Sequence, residues 1–104
     1  MAAEPLLVND LFGNPIGFPE SFLCRFDEEM KEKIFAALAR PALVLTDTSA
    51  GGQQQMHYYR SAEWHLTILL TVRLVGDQWQ AFELVKNPSA EILAALVRNG
   101  KQLD

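Results

Sequence analysis

The chain has 104 residues, enough for one domain built on one core. Hydrophobic residues make up 49% and charged residues 21%, the balance of a globular protein and not of a disordered tail. Nine Lys and Arg stand against 13 Asp and Glu, a net charge of -4 that excludes a domain held mainly on nucleic acid or an anionic membrane surface.

The lone cysteine, Cys24, excludes an internal disulfide and any multi-cysteine zinc site. Set among Phe22, Leu23 and Phe26, it reads as a buried, inert thiol. The first five residues carry no Lys or Arg ahead of an apolar stretch, so a secretory signal is not expected. The most apolar segment, 64–75, falls well short of the ~20 residues a membrane helix needs. The expectation is a cytoplasmic protein without a membrane partner.

In chain order, residues 2–24 are punctuated by Pro5, Gly13, Pro15, Gly17 and Pro19, yet carry nine large apolar side chains. The segment reads as an extended arm packed on a core, either its own or that of a partner. A helix is expected over 27–40, with Asp27 as N-cap, Glu28 and Glu29 in the first turn and Pro41 as the stop. Met30, Ile34, Ala37 and Leu38 supply its apolar stripe.

Four strands follow. Residues 42–48 and 54–60 flank the turn at Ser49, Ala50, Gly51 and Gly52, and a bend is expected at Ser61 and Ala62. The third strand, 64–75, alternates cleanly. Trp64, Leu66, Ile68, Leu70, Val72 and Leu74 form an apolar face, while His65, Thr67, Leu69, Thr71, Arg73 and Val75 form a mixed one.

The fourth strand, 78–86, follows Gly76 and Asp77. A two-residue loop there sets Glu83 beside Leu70 on the apolar face, where an unpaired carboxylate is costly. A three-residue loop is therefore expected, which turns Phe82 and Leu84 to the core and brings Glu83 near Arg73. A last helix, 88–99, has Asn87 as N-cap, Pro88 at the first helical position and Gly100 at the C-terminal cap.

These elements predict a two-layer α+β fold in a single domain, 1–104. Its core, 25–104, is a four-stranded, mainly antiparallel sheet in the order α-β-β-β-β-α, and 1–24 is an extended apolar arm. Both helices are expected on the face of Trp64, Ile68 and Val72.

Candidate chemistry is sparse. His57, Tyr59, Ser61, Glu63 and His65 share a face of a continuous strand, and a carboxylate with a neutral imidazole suits zinc. The bend at Ser61 breaks that alignment with His57, and solvated cross-strand packing is the simpler account of these residues. No nucleophile elbow surrounds Ser61, and no phosphate-binding fingerprint surrounds Gly51 and Gly52. No catalytic residue, metal site or cofactor is expected. Within the arm, Val8-Asn-Asp-Leu-Phe12 resembles, through Asp10, Leu11 and Phe12, the end of the pentapeptide by which bacterial replication proteins dock on the sliding clamp. Val8 and Asn9 depart from that pattern where it has glutamine and leucine.

The leading expectation is a non-enzymatic protein-interaction module that self-associates, with Leu11, Phe12, Leu69 and Val75 on its interface. The alternative is a small-ligand or metal-dependent site on the sheet face, formed by His57, Tyr59, Glu63 and His65 with Arg73 nearby. Nucleic-acid binding, which would weaken steeply with salt, ranks last because of the net charge, and no nucleic-acid partner is expected.

Overall fold

The computed structural model describes residues 5–63 and 66–102. Seven strands and three helices occur among them: β1 (Leu6–Asn9), β2 (Pro15–Phe18), α1 (Glu20–Leu23), α2 (Glu28–Ala39), β3 (Leu43–Thr48), β4 (Gln54–Glu63), β5 (Leu66–Val75), β6 (Gln78–Lys86), α3 (Ala90–Asn99) and β7 (Lys101–Gln102). All strands belong to one sheet in the order β1-β2-β6-β5-β4-β3-β7. The β2–β6 pair is parallel and every other pair is antiparallel. A four-stranded, mainly antiparallel sheet with a separate arm is therefore incorrect: the sheet is mixed and seven-stranded.

The arm is where the difference arises. Its prolines and glycines break long elements but tolerate four-residue strands. Pro15 is the first residue of β2, and Gly13 takes the turn between β1 and β2 at φ +85. Pro19 is the N-cap of α1. Ile16, Phe18 and Phe22 are buried, so part of the segment's apolar content serves the protein's own core. Cys24, expected to be buried, is exposed just beyond α1.

Helix α2 forms as its sequence predicts. Asp27 Oδ1 accepts from the Met30 N–H at 2.8 Å, and Ile34, Ala37 and Leu38 are buried. Ile34 and Leu38 join one cluster with Phe22 of α1 and with Ile16, Phe18, Val44, Met56, Tyr58, Leu70, Val72 and Ala81 of the sheet. Phe35 stands edge-on to Phe18 with ring centroids 5.2 Å apart.

The β5–β6 hairpin corrects the expected register. Val75 pairs with Gln78 and Leu74 with Trp79 across the two-residue loop at Gly76 and Asp77. The carboxylate problem is solved further along by a β-bulge. Val72 faces Ala81 but Thr71 faces Glu83, so Phe82 is the extra residue. Glu83 is thereby returned to the second face and Leu84 to the core face. Phe82, expected inside, is 46% exposed.

At the other end of β5, the expected bend at Ser61 coincides with a register shift between Ser61 and Glu63. Trp64 and His65 lie outside the described residues.

Helix α3 is capped by Ser89, whose Oγ accepts from the Ile92 N–H at 3.2 Å, and not by Asn87. Asn87 instead continues the sheet: its N–H donates to the Thr67 carbonyl, and its Oδ1 accepts from the Thr67 N–H. To pass from β6 to β7 the chain crosses β5, β4 and β3. That is four strand spacings, ~19 Å, of which the ten helical residues of α3 cover ~15 Å. Of the two long helices only α2 joins the core cluster; no α3 residue is buried.

Candidate functional site

Cross-strand register places Leu45, His57, Thr71 and Glu83 in one row of the second sheet face. Asp47, Gln55, Arg73 and Gln80 form the next. These two rows hold a continuous polar network. His57 Nε2 lies 2.9 Å from Asp47 Oδ1, and His57 Nδ1 lies 2.8 Å from Thr71 Oγ1. The carboxylate oxygen accepts from Nε2, and Nδ1 shares a hydrogen bond with the Thr71 hydroxyl, which can donate or accept. Gln55 Nε2 donates to the same Asp47 oxygen at 2.9 Å, and Arg73 Nε donates to Gln55 Oε1 at 2.7 Å. The Arg73 guanidinium lies 3.5 Å from the centre of the bulged Phe82 ring.

The order carboxylate, imidazole, hydroxyl is that of a nucleophilic triad. Access decides against that use. Thr71 and His57 are 7% and 6% exposed, in mid-strand, and the groove beside the network is lined by Asp47 and Gln55 instead. The network fixes Asp47 and ties β3, β4, β5 and β6 together. Among the described residues, every buried side-chain nitrogen and oxygen has a partner.

The residues expected to form a site are only partly brought together. His57 and Arg73 are linked through Asp47 and Gln55. Tyr59 is half-buried one row away, between Leu43 and Leu69. Position 63 pairs with Leu66, out of the alternation that carries His57, Tyr59 and Ser61, and His65 is outside the described residues. No group of three His, Cys, Asp or Glu among the described residues is placed to hold a metal ion. Asp47, Gln55 and Thr71 escape sequence reasoning because their meeting depends on two hairpin registers. The signal available was the β3–β4 turn, whose length sets Asp47 opposite Gln55.

A groove of about 890 Å³ opens at this end of the sheet. Met56 and Trp79 give it an apolar part, and Asp47, Gln55, Asn99 and Lys101 polar ones. Asp47 Oδ2 accepts no hydrogen bond from the described residues, while Oδ1 is held twice.

The second candidate surface is the β1–β2 hairpin. Leu6, Leu7, Leu11 and Phe12 are 51%, 55%, 46% and 39% exposed, half of the exposed large apolar side chains among the described residues. Their backbone is held firmly. Asp10 is buried and accepts from the Phe12 and Asn14 N–H groups at 2.9 and 2.8 Å. The phenol of Tyr58 donates to the same carboxylate. The Leu11 N–H donates to the Leu38 carbonyl of α2. Asp10, one of the three residues matching the clamp-docking pentapeptide, is thus committed to the fold.

Of the other two expected interface residues, Val75 is 46% exposed and Leu69 only 4%, so Leu69 offers no free surface in the single chain. The centre of the second sheet face, expected to be partly open, is closed at Leu45, His57, Leu69 and Thr71.

No helix among the described residues is long and apolar enough to cross a membrane. The chain matches no family model, no curated protein and no solved structure.

Proposed function

We propose that the protein is a non-enzymatic interaction module that self-associates through its N-terminal hairpin. The observation that carries this reading is the exposure of Leu6, Leu7, Leu11 and Phe12 on a backbone fixed by Asp10 and α2. Apolar residues held rigid lose little conformational entropy when they are covered, which favours association. A cytoplasmic setting without nucleic acid belongs to the same proposal. It is supported by the exposed free Cys24, suited to a reducing compartment, and by the net charge of -4. Sedimentation equilibrium over the micromolar range tests self-association: a dimer that Leu7→Lys converts to monomer supports it. A monomer at every concentration overturns it.

One observation favours a second reading, a small-ligand site. The groove has a volume within the range of ligand pockets and a carboxylate oxygen without a partner among the described residues. In this reading the ligand sits at Asp47, with His57 behind it, so the site centres away from Tyr59, Glu63 and His65. Asp47→Asn abolishing the binding of a ligand found by fluorescence screening supports it; unchanged binding does not.

A further inference from the structure

From the edge of β1, which no strand among the described residues covers, we infer that two copies join by strand addition, β1 against β1 antiparallel, about a two-fold axis at Leu7; this rests on the self-association proposed above. The Asp10 N–H donates to the Asn14 carbonyl at 2.9 Å. At period two, the backbone groups of Val8 and Leu6 also point toward β2, opposite Ile16 and Phe18. Those of Leu7 and Asn9 point outward, along the edge of the sheet that no described strand covers.

The two ends of the sheet differ. β7 is two residues long and carries Lys101, the usual protection of an edge, whereas β1 reads Leu-Leu-Val-Asn without a charge. Leu7 is 55% exposed, and its neighbour in β2 is Gly17, which offers no side chain to pack on. A second copy supplies that neighbour.

An axis at Leu7 sets Leu7 beside the second Leu7, and Leu6 beside the second Val8. All three apolar residues of the strand then find apolar partners. The Leu7 N–H and C=O bond reciprocally, and the Asn9 N–H reaches the Pro5 carbonyl. Pro5 has no N–H, so the ladder ends there. An axis one residue later would give as many backbone bonds but set Leu6 against the committed Asp10. The product is one continuous sheet of fourteen strands, the closed, self-complementary pairing of a two-fold dimer.

Single-cysteine chains in a Cys24→Ser background test the geometry. Opposed residues at Leu7 stand ~5.5 Å apart at Cα, within disulfide reach. The two copies of Val8 stand ~8 Å apart, beyond it. Leu7→Cys is expected to cross-link as dimer under mild oxidation, and Val8→Cys to remain uncross-linked. A dimer in solution that cross-links through Val8→Cys, or through neither, overturns the axis at Leu7 and leaves self-association standing. A monomer at all concentrations overturns both.

Discussion

The phenol of Tyr58 donates a 2.5 Å hydrogen bond to Oδ2 of Asp10, joining the middle of β4 to the turn of the N-terminal hairpin across 48 residues of sequence. The same carboxylate organises the turn through Phe12 and Asn14. One side chain therefore shapes the hairpin and anchors it to the core.

Removing either partner has unequal consequences. Asp10→Ala leaves two turn N–H groups and a buried phenol without their acceptor and is expected to cost about 3 kcal/mol or more. Tyr58→Phe leaves Asp10 three other donors and is expected to cost about 1–2 kcal/mol. A double-mutant cycle by urea unfolding checks this. Additive costs would show that the bond contributes nothing of its own.

Tyr58 is expected to make stability fall at alkaline pH. Burial, then the hydrogen bond to Asp10 and its charge, push the phenol far above its ordinary 10.0. Above pH 10 an unfolded Tyr58 releases its proton while the folded one keeps it, so the unfolded state binds fewer protons and stability falls as pH rises. Urea midpoints measured across that range should decline less steeply in Tyr58→Phe than in the native chain. Identical slopes would refute the assignment.

The bulge makes Phe82 dispensable for register. Deleting it lets Glu83 follow Ala81 directly, with Ala81 still opposite Val72 and Glu83 opposite Thr71. The expected loss is the Arg73–Phe82 contact, about 1 kcal/mol, with the fold retained by circular dichroism. Unfolding on deletion would show that the extra residue has a further role.

Gly100 is required by contact and not by handedness, since its φ is -102. A Cβ there would lie 2.8 Å from the Leu96 carbonyl oxygen and 2.9 Å from that of Thr46, both backbone atoms. Gly100→Ala is expected to cost about 1–3 kcal/mol, the scale of overpacking, and to loosen β7 from β3. Gly51→Ala, whose nearest neighbour would be Ser49 Oγ at 3.9 Å, should be close to neutral. Thermal melts of the two variants make the comparison.

Local patterns predicted local structure well. Asp27, Pro41 and the apolar spacing of α2 specify that helix, and the alternation from Leu66 to Val75 specifies β5. What escaped was everything set by pairing between distant segments. Ile16 and Phe18 read as parts of an arm because nothing nearby in sequence shows that β2 lies parallel to β6. Phe82 read as core because both loop lengths considered assumed a regular ladder, and a bulge breaks that parity. The Asp47–His57–Thr71 network needed the registers of β3, β4 and β5 together. His57 and Arg73 were visible as unusual strand residues, whereas the residues that hold them were not.

The parallel seam between Ile16–Gly17 and Trp79–Gln80 has a consequence for how the chain matures. About sixty residues leave the ribosome after Ile16 before its parallel neighbour Trp79 exists. Until then β2 has only β1 to lie against, and the hairpin lacks the inner strand that joins it to the rest of the sheet. The β1–β2 hairpin is thus among the last parts of the sheet to settle.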